Sequence, residues 1–150
     1  MSIAKTGDVW TPLHIAAQKD HVDFGRLLVR TGVIMDPKDK DGLTPLHWAC
    51  MKGYVDFMTV MLIGSADLNC RDNMGRTPLM MASMNGYKEV AVKLLMNGAT
   101  AGLKDDEGNT ALDISKEFGH TQFIPLLVQH GADVRTEDAI IMNRGRTSFR

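Results

Sequence analysis

Two histidines, His14 and His47, two cysteines, Cys50 and Cys70, and an acidic run, Asp105-Asp106-Glu107, are the side chains of this chain most suited to chemistry. A histidine near neutral pH serves as general base or metal ligand, and a thiolate serves as nucleophile. The arrangement argues against both. The histidines lie 33 residues apart, each closing the same tetrapeptide, Thr-Pro-Leu-His. A catalytic histidine has no reason to be one of a periodic pair, and no serine, cysteine or carboxylate constellation accompanies either one. The cysteines show neither CxxC spacing nor a partner cluster. No active site, metal or cofactor is expected.

The period that explains the histidines runs through the chain. Threonine recurs at Thr11, Thr44, Thr77 and Thr110, opening TPLHIAA, TPLHWAC, TPLMMAS and TALDISK. Leucine follows in phase at Leu13, Leu46, Leu79 and Leu112, and a small residue at Ala16, Ala49, Ala82 and Ser115. An aromatic or valine returns at Phe24, Phe57, Val90 and Phe123. Four copies agree without insertion or deletion.

Within one copy the residues spell two helices. Thr44 caps a helix whose first turn accepts Pro45, and Gly53 stops it. A second helix from about Val55 to Ile63 carries Phe57, Met61 and Leu62 at helical spacing, and Gly64-Ser65-Ala66 ends it. Turn chemistry fills Asp67 to Gly75.

A 33-residue unit with these columns resembles the ankyrin repeat, over about residues 6–137. The resemblance implies an all-α solenoid of helix-turn-helix units with short β-hairpin fingers, in a single domain. The repeats fall at about 6–38, 39–71, 72–104 and 105–137. It implies that His14 and His47 tie neighbouring fingers together by hydrogen bonds. It also implies that finger tips and the exposed face of each first helix line a concave surface that binds a protein. Carried onto this chain, that surface comprises Trp10, Gln18, Lys19, Lys40, Asp41, Leu43, Trp48, Met51 and Lys52 in the first two repeats. In the last two it comprises Met74, Arg76, Met81, Met84, Asn85, Asp106, Glu107, Glu117 and Phe118.

Both tryptophans and several methionines fall in that set, and such residues are enriched at interface centres. Trp48, Met51, Met81 and Met84 occupy matching positions and are expected to form one apolar patch, flanked by Lys19 and Lys52 on one side and by the acids of repeat four on the other. Trp48 and Met81 share a column with Ile15 and Ile114 that suits either recognition or core. The acidic finger reads as a dock for a basic segment or as ordinary turn and solubility chemistry. Asp67-Leu68-Asn69 resembles the hairpin modified by asparaginyl hydroxylases, making Asn69 a candidate for hydroxylation, although the same residues close a turn unaided.

The two ends depart from the pattern. Val9 replaces the glycine found at Gly42, Gly75 and Gly108, as in a capping unit. In repeat four, Ala111, Asp113 and Lys116 replace proline, histidine and a small residue, and Pro125 is expected to weaken the second helix. Residues 138–150 form a basic tail or begin a fifth repeat, since Asn143–Phe149 resembles Asn73–Leu79 but lies four residues late.

Net charge is -1, so no global field recruits nucleic acid or an anionic membrane. No stretch approaches the ~20 apolar residues of a membrane span, and the first residues lack the apolar run of a signal peptide. Two unpaired cysteines suit the cytosol or nucleus. The expected protein is a non-catalytic, monomeric scaffold or adaptor that binds another protein. Alternatives are an inhibitor of a partner enzyme such as a protein kinase, or a targeting module of a larger regulatory protein.

Overall fold

A computed structural model describes residues 10–131, so the expectations for Val9 and for residues 138–150 concern residues outside the described ones. The described residues form eight helices in four antiparallel pairs: α1 (Pro12–Lys19) with α2 (Val22–Arg30), α3 (Pro45–Lys52) with α4 (Val55–Ile63), α5 (Pro78–Asn85) with α6 (Lys88–Met96), and α7 (Ala111–Glu117) with α8 (Phe123–Gln129). The first helices stack on one another, and the second helices α2, α4 and α6 stack beside them.

Each first helix begins the same way because its threonine is a cap. The hydroxyls of Thr11, Thr44, Thr77 and Thr110 accept the amide three residues on, at 3.2–3.3 Å. The side chain at that third position bonds back to the threonine amide, through His14 Nδ1, His47 Nδ1, Met80 Sδ or Asp113 Oδ2. Such a cap stabilises a helix by about 1 kcal/mol, which matters for helices of two turns. Gly53 and Gly86 leave α3 and α5 in the left-handed conformation at φ 73° and 77°, and Asp20 adopts it at φ 55° where repeat one lacks the glycine.

The core is the seam between pairs. Leu13, Leu46, Leu79 and Leu112 are buried in it, with Ala16, Ala49, Ala82 and Ser115 allowing the first helices to approach. The aromatic column behaves unevenly: Phe57, Val90 and Phe123 are fully buried, whereas Phe24 is 42% exposed. The reason is direction. Phe57 packs backwards onto α2, where a Cβ added at Gly25 would meet its ring at 2.7 Å. No described repeat precedes Phe24.

Pro125 lies in the first turn of α8, not in the helix interior where it was expected to weaken the helix. The helix starts at Phe123, two residues later in register than its equivalents, so Pro125 is its third residue. An amide there has no partner within the helix, and its absence leaves no hydrogen bond unmade. The displaced start is closed instead by short bonds from Phe123 and Ile124 amides to His120 and Thr121 carbonyls.

The fingers also differ from the expected β-hairpins: none of the described residues is in a strand. Each finger is a turn closed across five residues, Asp39 N–H to Leu43 O at 3.0 Å, with the same bond from Asp72 to Arg76 and from Asp105 to Asn109. Neighbouring fingers are joined tip to tip, the Asn73 amide donating to Asp41 O and the Asp106 amide to Met74 O, both at 3.0 Å.

The histidines do what the repeat pattern implies. His14 Nε2 meets Leu43 O and His47 Nε2 meets Arg76 O, each at 2.8 Å and each 29 residues ahead. With Nδ1 accepting the capping amide, Nε2 must carry the proton, so both rings are neutral. Burial lowers both pKa values from 6.5, against the backbone carbonyl that Nε2 faces. The unfolded chain therefore binds these protons first. Stability is fully present above pH 6.5 and is lost as pH falls below it towards the folded-state values. Urea midpoints measured from neutral to mildly acidic pH are expected to decline, and a His14→Gln/His47→Gln variant is expected to lose that slope. A slope unchanged in the variant would refute this assignment.

Candidate functional site

Between the first two repeats the finger tip and the first helices border an open pocket of about 440 Å³ lined by Trp10, Asp39, Lys40, Asp41 and Trp48. Trp10, just ahead of the Thr11 cap, is 42% exposed and stacks flat on the His14 ring with centroids 5.0 Å apart. Its edge meets Trp48 of α3 at 5.5 Å and 83°. Trp48 is half-buried, and its indole Nε1–H donates to Asp39 Oδ2 at 3.0 Å. Lys52, one turn along α3, holds its Nζ 5.9 Å above the Trp48 ring. Asp39 is fixed from the other side, its Oδ1 accepting the amides of Asp41 and Leu43 at 3.0 and 2.9 Å.

The expected binding residues separate into three groups. Trp10, Lys19, Lys40, Asp41, Lys52, Met74, Asn85, Asp106, Glu107, Glu117 and Phe118 are exposed. Gln18, Trp48, Met51, Arg76 and Met84 are half-buried, and of these Trp48, Met51 and Met84 also pack against the core. Leu43 and Met81 are buried, at 6% and 2% exposure, and are not surface contacts. Leu43 lies under the finger turn, and Met81 faces the seam between first helices. The patch expected from Trp48, Met51, Met81 and Met84 is therefore interrupted at its middle. In its place the fold joins Trp48 to Trp10, 38 positions apart, which no reading of a 33-residue period would pair.

The charged members are partly committed to the fold. Arg76 Nε bonds Asp72 Oδ2 at 2.8 Å, in the finger of repeat three. Asp105 Oδ1 accepts the amides of Glu107 and Asn109, so this acid closes the fourth finger turn. Asp39, Asp72 and Asp105 hold the same place in three fingers, and that 33-residue recurrence of aspartate was the sequence signal for them. Asn69 is engaged at both ends of its amide, Nδ2 donating to Thr100 Oγ1 at 3.2 Å and Oδ1 accepting the Thr100 amide at 3.0 Å.

The thiols are placed for packing. Cys50 is fully buried, and burial, then the nearby Cys70, pushes its pKa well up. Cys70 lies 3.3 Å from Thr44 Oγ1 and 3.7 Å from His47 Nδ1. Burial pushes its pKa up to about 12 despite the Thr44 hydroxyl. Neither is a thiolate at neutral pH. Among the described residues no group of three or more histidine, cysteine or acidic side chains could hold a metal ion. No helix among them is long and apolar enough to cross a membrane.

Stacked helix pairs with threonine caps, joined finger tips and a histidine reaching the next finger define a repeat solenoid. The family model "Ankyrin repeats (3 copies)" matches residues 2–72 and 56–138, and the chain belongs to the ankyrin repeat family. Comparison with curated proteins gave no significant match. Ankyrin repeats are in general protein–protein interaction modules and typically non-catalytic.

Proposed function

We propose that this chain is a non-catalytic scaffold that holds a partner protein against its finger tips and first helices, with the Trp10–Trp48 pocket as the centre of contact. The observation that carries this reading is the open pocket itself. Its two indoles are held by His14 stacking and by the Asp39 carboxylate, so little side-chain freedom remains to be lost on binding. Exposed Met74 and Phe118 extend apolar surface along the later repeats. The two buried, unpaired thiols support a reducing compartment, cytosol or nucleus.

Affinity capture with the full chain tests this, using a Trp10→Ala/Met74→Ser variant as control. Trp10 covers His14 and Trp48, so the variant is expected to melt at a lower temperature than the parent yet remain folded at the temperature of capture. It should bind the captured partner at least about tenfold more weakly, the loss of one interface anchor. Equal recovery by both proteins would remove the proposal.

A further inference from the structure

The three equivalent finger aspartates are built alike at Oδ1 and differently at Oδ2. In repeat three, Asp72 Oδ1 accepts the amides of Met74 and Arg76, and Oδ2 receives the Arg76 guanidinium at 2.8 Å. In repeat two the position of Arg76 is taken by Leu43, and Asp39 Oδ2 receives only the neutral indole N–H of Trp48. No salt bridge reaches Asp39 among the described residues. The same difference is felt at the histidines. The Asp72 charge raises the His47 pKa while Arg76 opposes it, whereas Asp39 acts on His14 without such a counter-charge.

The molecule thus contains one finger with its guanidinium in place and one finger without. Beside the second lies the pocket walled by Trp10 and Trp48, with the exposed carboxylate of Asp41 at its rim. A carboxylate has about four acceptor sites, and Asp39 uses three of them. The Trp48 ring already draws Lys52 over one face, which shows that its π-surface takes a cation. Lys40 and Lys52 are exposed, and their long stems let the ammonium heads turn to water as another cation enters.

Building on the proposed interaction face, we propose that this pocket takes one arginine side chain of the partner, its guanidinium on Asp39 Oδ2 and Asp41 and its flat face against the indoles. Arginine fits better than lysine because its guanidinium is planar, weakly hydrated and able to stack while it bonds a carboxylate. The bound group would stand to Asp39 as Arg76 stands to Asp72.

The test uses the full chain and small probes. N-acetyl-arginine methylamide is titrated while the two indole N–H resonances are followed by NMR, alongside the lysine and citrulline counterparts. Citrulline keeps the shape of arginine and removes its charge. Saturable shifts of both indoles are expected with arginine. Binding of citrulline should be at least about tenfold weaker, the loss of a charge-assisted hydrogen bond. Leu43→Arg, which supplies repeat two with its own guanidinium, should abolish the titration. Because Leu43 is buried, Trp10→Ala provides a second variant, with loss of the shift at Trp48 expected. Equal shifts with citrulline, tighter binding of lysine, no shift with arginine, or an unchanged response in Trp10→Ala would each overturn the proposal. If arginine fails while the Trp10→Ala/Met74→Ser variant still loses the captured partner, the interaction face stands and the arginine pocket falls.

Discussion

Replacing Phe57 with alanine is expected to destabilise the protein by about 3–5 kcal/mol, the range for deleting a fully buried phenylalanine. Phe57 is wholly inaccessible, and its ring fills the space left by Gly25, so it bridges α4 to α2 beside the α1–α3 stacking and the His14–Leu43 bond. The glycine cannot collapse onto the gap, and a cavity would remain between α2 and α4. In a stack each unit is held by its neighbours alone, so damage at one seam does not spread evenly. Repeat one should therefore separate before the rest. Native-state hydrogen exchange would show amides of α1 and α2 exchanging through an opening well below global unfolding. Uniform loss of protection in all helices, or an unchanged urea midpoint, would contradict the account.

His47→Ala is expected to destabilise by about 2–4 kcal/mol, combining a lost buried hydrogen bond with a cavity. Two contacts disappear together: the proton given to Arg76 O, and the acceptor offered to the Thr44 amide. The reciprocal change is more specific. Met80 occupies the histidine position of repeat three and cannot donate a hydrogen bond to the carbonyl 29 residues on, Asn109 O. Met80→His should complete that rung and stabilise by about 0.5–1.5 kcal/mol, the usual worth of one such bond. The gain should fade as pH falls below the histidine range, because a neutral ring is required. A destabilised Met80→His protein at neutral pH would show that the buried site cannot accept the imidazole, and the rung argument would fail there.

Much of the architecture was legible because it depends on near neighbours in sequence. Thr44, Pro45 and Gly53 announce the bounds of α3 through capping and chain geometry, and α4 runs from Val55 to Ile63 as its apolar spacing requires. His14 and His47 were legible through periodicity, which distinguishes a structural role from a chemical one. Less legible was anything that depends on which side of a repeat is covered. Phe24 shares its column with Phe57 yet is exposed, because the column packs backwards and repeat one is the first described. Met81 and Ile114 are buried where Ile15 of the same column is exposed and Trp48 is half-buried. Leu43 sits among finger residues but points beneath the turn, so position along a finger does not by itself mean access to solvent. The Trp10–Trp48 pair was hidden for a different reason: its partners stand in unlike columns, and alignment of repeats compares only like ones.

That pair holds both tryptophans of the chain. All of the protein's indole absorption thus arises from two chromophores 5.5 Å apart with their rings inclined at 83°, close enough for their transitions to couple. Emission excited at wavelengths that only indole absorbs consequently reports on one contact, between the entry to repeat one and the first helix of repeat two. It is a local gauge of that pocket, blind to Tyr54 and Tyr87, and repeats three and four carry no tryptophan of their own.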